Sequence, residues 1–290
     1  MRTFPDCFPC LRKQAGSTIS RVTGDPARQQ AILAAVAALL DRLDPSLSPP
    51  ENAAFMYRLI AEHSGVTDPY AAIKAESNRL AGTLRSQARK GIAAAADPLL
   101  AAIQYAMAGN VMDYGAHHDF DAEETLAACL GREAAINDYQ EFRRDLAAAR
   151  TVLYLADNCG ELVFDGLLIE QLEREVTVAV KAAPVINDAQ VADAVACGID
   201  RIARVVSNGT ACPGTPLSRV SAEFRKLFAE ADLIISKGQG NFETLSECGR
   251  SLYFLLTVKC PVVSRYLGEK TGRPAQCGDA VLLKHRPPGA

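Results

Sequence analysis

From Thr151 onward, short apolar runs alternate with segments of helix length, and this alternation constrains the fold more than any other feature of the 290-residue chain. The clearest runs cover 151–156, 176–180, 202–207 and 232–236, and weaker candidates cover 252–258 and 281–283. Strands that are apolar on both faces and separated by helices form a mostly parallel sheet with helices on both sides. The second half of the chain is therefore predicted to be a three-layer α/β/α domain.

The first half of the chain has the pattern of a helical domain. Asp25-Pro26, Asp68-Pro69 and Asp97-Pro98 each place a capping side chain before a proline, an order favoured at helix N-termini. Later helices are predicted over about 52–64, 69–92, 97–110, 121–130 and 134–148, with a helix stop at Asp44-Pro45 and a turn at Ser48-Pro49-Pro50. The predicted architecture is α/β, with a helical N-terminal domain (1–148) packed on the α/β/α domain (149–290).

Composition and charge exclude several classes of function. The formal net charge is −3, and the chain has no Trp and only 6% aromatic residues. These values are unlike those of proteins that bind nucleic acid or anionic membranes. No apolar run near the start approaches the ~20 residues of a membrane span. Nine Cys without the dense spacing of a secreted scaffold favour a reduced, cytoplasmic protein.

Polar residues follow four successive predicted strands. They are Asp157-Asn158-Cys159-Gly160-Glu161 after the first, Lys181 and Asn187-Asp188 after the second, Ser207-Asn208 after the third, and Lys237-Gly238 after the fourth. Open α/β sheets bind their ligands beyond the carboxyl ends of the strands. Any one of these residues, including Asp157, is equally well explained as a helix cap, but four polar strand ends together indicate a site.

The residue types at this edge point to metal and anion chemistry. Asp157, Asn158 and Asp188 offer hard oxygen donors that suit Mg²⁺ or Mn²⁺ better than a thiolate zinc site would. Lys237 and Lys181 could neutralise an anion, and a glycine such as Gly238 lets backbone N–H groups approach it. The chain has neither a Walker loop nor a Gly-x-Gly-x-x-Gly fingerprint. The pattern therefore favours an oxyanion or phosphate site.

Taken in order along the chain, these motifs resemble the damage-control phosphatase family, whose domain is also described as acidic-residue-methyltransferase-like and metal-binding. The resemblance is strongest to its small prokaryotic subgroup. It is carried by Cys7-Phe8-Pro9-Cys10, Ala108-Gly109-Asn110-Val111-Met112-Asp113, the 157–161 segment, Asn187-Asp188 and Ser236-Lys237-Gly238-Gln239-Gly240-Asn241. The Arg-Thr-x-Lys signature of the eukaryotic branch does not occur in this sequence.

The resemblance implies a metal-dependent phosphatase that hydrolyses phosphate monoesters of small metabolites, either sugar phosphates or damaged metabolite phosphates. It implies that Asp157, Asn158 and Asp188 bind a divalent ion, Mn or Mg, with Co or Ni as alternatives. It also implies that Glu161 and Lys237 hold the substrate and that Asn110 closes over the cleft from the helical domain. Lys181, Ser207, Asn208 and Gly238 are further candidates for substrate contacts, although Ser207 and Asn208 are also explained as helix caps.

Two residues are expected to carry the chemistry. Asp157 would orient or deprotonate the attacking water, or attack phosphorus itself, because it ends the first strand. Lys237 would offset the charge that builds on the equatorial phosphate oxygens.

Two other functions remain open from the sequence. One is a methyltransferase that uses S-adenosylmethionine, although 157–161 is a poor version of the glycine-rich turn that such an enzyme needs. The other is a metal- or metabolite-binding protein without turnover. Cys7 and Cys10 have packing, redox and metal interpretations, since no second Cys pair completes a zinc site. Cys159 is expected to be a small side chain in a tight turn, and His117-His118 to lie in a loop.

Overall fold

The computed structural model describes residues 1–109 and 133–287. Its α-helices are α1 (Cys7–Val22), α2 (Pro26–Leu40), α3 (Pro49–Ser64), α4 (Ala71–Ala94), α5 (Pro98–Ala108), α6 (Tyr139–Ala148), α7 (Glu161–Leu172), α8 (Val191–Ala196), α9 (Ala222–Glu230), α10 (Gly238–Leu245) and α11 (Pro261–Thr271). Its strands are β1 (Ile136–Asn137), β2 (Thr151–Leu155), β3 (Glu175–Val180), β4 (Arg204–Ser207), β5 (Leu233–Lys237), β6 (Leu252–Thr257) and β7 (Ala280–His285). The predicted helix over 121–130, the end of the one over 97–110, and His117-His118 lie outside the described residues.

The strands form one mostly parallel sheet with the order β1-β7-β6-β5-β2-β3-β4. Strands β2 to β6 are parallel to one another, while β7 is antiparallel to β6 and parallel to β1. All six predicted strands are present within two residues of their expected limits. The fold class that the alternation predicted is therefore confirmed.

One predicted helix was partly wrong, because its first residues form β1. Ile136 is buried, and its backbone pairs with Val281 of β7. The helix begins only at Tyr139, whose N–H donates to the Asn137 side chain at 3.1 Å. This segment forms a strand because it pairs with β7, which is distant in the sequence. Local periodicity does not reveal such a pairing.

The Asp-Pro pairs had different outcomes. Asp25 caps α2 by accepting from the Ala27 N–H at 3.0 Å, and Asp97 caps α5 by accepting from the Leu100 N–H at 3.1 Å. The helix predicted over about 69–92 is α4, which begins at Ala71, two residues after the proline. Asp68 accepts from the Tyr70 N–H at 3.0 Å and also forms an ion pair with the buried Lys74 of α4, at 2.6 Å.

The segment 48–50 was wrongly predicted to be a turn, because it starts a helix. Ser48 accepts from the Glu51 N–H, and the Glu51 carboxylate accepts from the Ser48 N–H at 3.1 Å, which is a complete capping box. Pro49 is then the first residue of α3, where its lack of an N–H costs nothing. Helix α1, before Asp25, was not predicted at all.

Three apolar clusters hold the molecule together. Helices α1 to α3 share a core of their own, formed by Leu11, Ala15, Ile19, Ile32, Val36, Leu40, Ala53, Met56 and Ile60. Helices α4 to α8 pack their buried residues with one face of the sheet. Helices α9 to α11 cover the other face. The three-layer α/β/α arrangement is thus present, while the division of the chain at 148/149 stays a prediction.

Within the residues that the structure describes, no helix combines the length and the apolar composition needed to cross a membrane.

Candidate active site

The sheet changes its direction of winding at β2, and this defines a crevice. The neighbours of β2 are β3 on one side and β5 on the other. Helix α7, which follows β2, packs on one face of the sheet, whereas α10, which follows β5, packs on the other. The loops after β2 and β5 therefore diverge, which is the point where open α/β sheets bind ligands. Asp157 and Lys237 both lie at this point.

The three predicted metal ligands come together through direct pairing of their loops. Asn158 and Asp188 form an isolated antiparallel bridge. The Cys159 N–H donates to the Asn187 carbonyl at 2.9 Å, and the Ala189 N–H donates to the Asp157 carbonyl at 2.8 Å. The loop after β3 thus returns to lie beside the loop after β2, although about thirty residues separate them.

Asp157 is buried in an environment that resists its negative charge. Burial raises the pKa of this carboxyl well above its usual range, and the neighbouring Glu161 and Asp188 raise it further. Gly238 packs its backbone against the Asp157 side chain. With φ at +79°, a Cβ on Gly238 would lie 1.9 Å from Oδ2 of Asp157, so this position requires glycine.

Lys237 is held between two carboxylates of α7. Its Nζ lies 2.9 Å from Oε2 of Glu161 and 2.7 Å from Oδ1 of Asp165, and all three side chains are buried. Burial opposes the charge of Lys237, but Asp165 and Glu161 outweigh it and raise its pKa above the ordinary lysine value. Glu161 also accepts from the Asn158 amide at 2.9 Å. Lys237 is therefore rigidly placed beside the predicted ligands.

Asp165 is a site residue that the sequence interpretation missed. Burial raises its pKa to about 6, and Tyr154 donates its hydroxyl to Oδ1 at 2.7 Å. Lys237, whose Nζ lies 2.7 Å from Oδ1, opposes this shift and favours the ionised carboxylate. Its spacing was the available signal, since residues four apart on a helix lie on one face and Asp165 follows Glu161 by four.

Lys181 and Lys259 place two further positive charges near the carboxylates. Lys181 is buried, lies 3.4 Å from Oδ2 of Asp188 and donates to the Gly214 carbonyl. Lys259, just after β6, is exposed, and its charge acts to lower the pKa of Asp157. Lys259 was not predicted as a site residue, although its position just after a fifth strand, β6, was the available signal.

Ser207 and Asn208, which were also predicted to contact the substrate, make local hydrogen bonds. Ser207 is exposed, and its hydroxyl accepts from the Gly209 N–H at 3.1 Å. Asn208 is buried, and its Oδ1 accepts from the Thr210 N–H at 3.1 Å. Both contacts shape the turn after β4, and a role in substrate binding stays a prediction for both. Asn110 lies outside the described residues.

Cys7, Cys10 and Cys159 lie where burial raises the pKa of the thiol and disfavours the reactive thiolate. Cys7 is the first residue of α1, and burial raises its pKa to about 11. Cys10 is exposed, and Cys159 is buried with a pKa that burial raises. All three are free thiols, and the buried pair is protonated at neutral pH. The prediction of a small side chain in a tight turn fits the position of Cys159.

The buried side chains of the site include more acids than lysines, so a bound cation would balance their charge. Four acids lie close to two lysines: Asp157, Glu161, Asp165 and Asp188 against Lys181 and Lys237. Buried charges require compensation, and a divalent cation would balance the remaining two acids. In residues 1–109 and 133–287, no group of three or more His, Cys, Asp or Glu side chains is arranged for a metal ion. The predicted set has two carboxylates and an amide, which are hard donors of the kind that Mg²⁺ and Mn²⁺ take.

Comparison with known proteins identifies the family. The model of the damage-control phosphatase ARMT1-like domain matches residues 3–274. The chain therefore belongs to the damage-control phosphatase family, as its motifs predicted.

Individual relatives agree with this assignment. A damage-control phosphatase of Pyrococcus horikoshii is 33% identical over 274 residues, covering 92% of this chain and 94% of the relative. One from Archaeoglobus fulgidus is 35% identical over 226 residues, covering 75% and 78%. The crystal structure of a DUF89 family protein from Pyrococcus horikoshii is similar with a TM-score of 0.90 and 31% identity, covering 99% of this chain and all of that one.

Proposed function

We propose that this protein is a metal-dependent phosphatase that hydrolyses phosphate monoesters of small metabolites, either sugar phosphates or damaged metabolite phosphates. The relatives named damage-control phosphatase support this function. The observation that carries it is the pairing of the 157–159 and 187–189 segments, which gathers three oxygen-donor side chains beside two buried lysines at the winding change of the sheet.

Asp157, Asn158 and Asp188 would hold the divalent cation, with Mn or Mg as the first choice and Co or Ni as alternatives. The excess of buried carboxylates over lysines supports this assignment. When bound, such an ion supplies positive charge that neutralises and polarises a phosphoryl group. The raised pKa of Asp157 also fits, because a nearby cation would restore its ionised form.

Lys237 would stabilise the charge that develops on the phosphoryl oxygens. An ammonium has three N–H donors, and Glu161 and Asp165 each engage one. Because these carboxylates fix its position in a buried environment, Lys237 presents a preorganised charge that needs no rearrangement during reaction. Glu161 contacts both Lys237 and Asn158. It therefore connects the lysine that would stabilise the phosphoryl charge with a residue that would bind the cation.

Asp157 would act on the attacking water. Its carboxylate lies beside the backbone of Gly238, at the first residue of α10. From there it can orient a water or take its proton, or attack phosphorus directly. Lys181 and Lys259 would attract the anionic substrate, and the backbone of Gly238 and the side chains of Ser207, Asn208 and Asn110 would complete its contacts.

The decisive experiment is hydrolysis of a broad panel of phosphate esters with added Mn²⁺. We expect turnover by the wild type and a loss of about 10³-fold or more in Asp157→Ala, the range over which a general base acts. Asp41→Ala, which removes an exposed acid just after α2, is the matched control and should retain full activity. Undiminished turnover by Asp157→Ala would overturn the assignment.

Calorimetric titration separates the alternative functions. Heat from Mn²⁺ but not from S-adenosylmethionine supports the phosphatase over the methyltransferase. Binding of Mn²⁺ without hydrolysis of any ester on the panel would instead indicate a binding protein.

A further inference from the structure

We propose that Asn78, on helix α4, is a positioning residue that clamps together the two loops carrying the cation ligands. The inference rests on the proposed function for its purpose, since it concerns the spacing of Asp157 and Asn158 from Asp188. Its physical basis is a set of contacts between α4 and both loops.

The carboxamide of Asn78 bonds to both loops at once. Its Oδ1 accepts from the Gly160 N–H at 2.7 Å, within the loop that follows β2. Its Nδ2 donates to Oδ1 of Asp193 at 3.1 Å, at the start of the helix that follows the 187–190 segment. The other oxygen of Asp193 accepts from the Gln190 N–H at 3.0 Å and fixes the end of that segment. One side chain thus joins the two loops.

The backbone of Gly160 is shaped to receive this contact. Its φ is +77°, and a Cβ there would lie 3.2 Å from the carbonyl oxygen of Ser77, so α4 passes directly against the loop. Gly160 precedes the first residue of α7, where an N–H has no acceptor within the helix. Asn78 supplies that acceptor. The residue after Gly160 is Glu161, which holds Lys237.

A second residue of α4 reinforces the same arrangement. Lys74 is buried, and its Nζ donates to Oε1 of Gln190 at 2.9 Å while it pairs with Asp68 at 2.6 Å. Lys74 and Asn78 are four residues apart and lie on one face of the helix. Helix α4 therefore presents two polar side chains to the segments that flank Asp188 and Asp157.

The clamp is separate from the direct pairing of the loops. The backbone bonds from Cys159 to Asn187 and from Ala189 to Asp157 join the loops to each other. Asn78 then ties both of them to a long helix of the N-terminal half. Displacements of about 1 Å in a catalytic arrangement can reduce turnover about 100-fold. A second attachment therefore has a functional value beyond stability.

A carboxamide satisfies both partners because it carries an acceptor for Gly160 and a donor for Asp193. Ala at position 78 would leave the Gly160 N–H without its acceptor. Asp would retain that acceptor but would face the Asp193 carboxylate as a like charge. The double variant Asn78→Asp with Asp193→Asn exchanges the two residues. The amide at position 193 then donates to the carboxylate at position 78, whose other oxygen still accepts from the Gly160 N–H.

The first test is hydrogen–deuterium exchange on the metal-free protein. In Asn78→Ala we expect amide exchange to become about tenfold faster in both the 157–161 and the 187–193 segments, the effect of losing a typical buried hydrogen bond. Arg79→Ala is the control, because the adjacent Arg79 is exposed and pairs with Glu76 on its own helix. Faster exchange confined to 157–161 would overturn the clamp.

The second test is the affinity for Mn²⁺ measured by calorimetry. We expect Asn78→Asp to weaken binding about tenfold and the exchanged double variant to return within about threefold of the wild type, a coupling expected of residues in contact. Failure of the double variant to recover would also overturn the clamp. A wild type that neither binds Mn²⁺ nor hydrolyses esters would overturn the proposed function, whereas the exchange measurement, made without metal, would still decide the clamp.

Discussion

The bundle of α1 to α3 and the carboxyl edge of the sheet are both buried, but their interiors have opposite chemistry. The bundle encloses aliphatic side chains and Met56. The sheet edge encloses carboxylates and ammonium groups, with Glu161 and Asp165 fully buried. Apolar burial stabilises a fold, whereas buried ion pairs recover little more than the cost of removing their charges from water. The difference separates the part of the molecule that contributes stability from the part that contributes chemistry.

Replacement of Lys237 by Met is expected to have the largest effect and tests the charged edge of the sheet. It leaves Glu161 and Asp165 without their shared cation, and we expect the free energy of unfolding to fall by about 4 kcal/mol. Turnover should be lost as well. Denaturant unfolding of Lys237→Met and of a double variant with Asp165→Asn measures the effect. The double variant should regain part of the lost stability without activity, since Glu161 still lacks its cation. If Lys237→Met is as stable as the wild type, the ion pairs do not stabilise this edge.

Replacement of Met56 by Ala tests the other region. Met56 is fully buried in the α1–α3 core, so we expect a loss of about 3 kcal/mol from the cavity that remains. The turnover number and KM of the folded protein should not change. Leu33→Ala is the matched control, because Leu33 is 42% exposed on α2 and should cost far less. A change in turnover for Met56→Ala would show that the two regions are coupled.

Glu243 provides a smaller test, because its buried carboxyl makes the stability of the protein depend on pH. Burial raises its pKa from 4.5 to about 7, while the Gln239 amide and the N-terminal charge partly oppose the shift. The native state therefore binds this proton more tightly than the unfolded state does, and stability is lost as pH rises from about 4.5 through 7.

Glu243→Gln should therefore exceed the wild type by about 2 kcal/mol at pH 8 and match it at pH 4. Thermal unfolding across this range measures the difference. Glu230→Gln, which alters an exposed acid on α9, should show no such trend. An equal gain at pH 4 and pH 8 would rule out titration of Glu243 as its origin.

Much of the fold was predictable because buried parallel strands leave a continuous apolar signature. The six runs from Thr151 onward were found in this way. Strand β1 was not, because its two residues are defined by a partner near the end of the chain. Helix α1 was overlooked because its sequence is largely polar between few buried positions.

The site was predictable to the extent that its residues follow strands. Asp157, Asp188 and Lys237 were identified from that position, and the structure brings their segments together. Asp165 lies inside a helix, where only its spacing of four residues from Glu161 marks it, and Asn78 lies inside another helix as a single polar residue without a distinguishing pattern. Their importance depends on contacts with distant segments, which one sequence does not encode in readable form.

The pairing of β1 with β7 has a consequence for the order of folding. Ile136 lies opposite Val281, so this edge closes a loop that contains β2 to β6. Closing long loops is slow, because chain entropy is lost before the contacts form. During synthesis, β2 to β5 can assemble while the last strand is still unmade. Loss of the C-terminal strand would expose one flank of β6 and leave β1 without its partner.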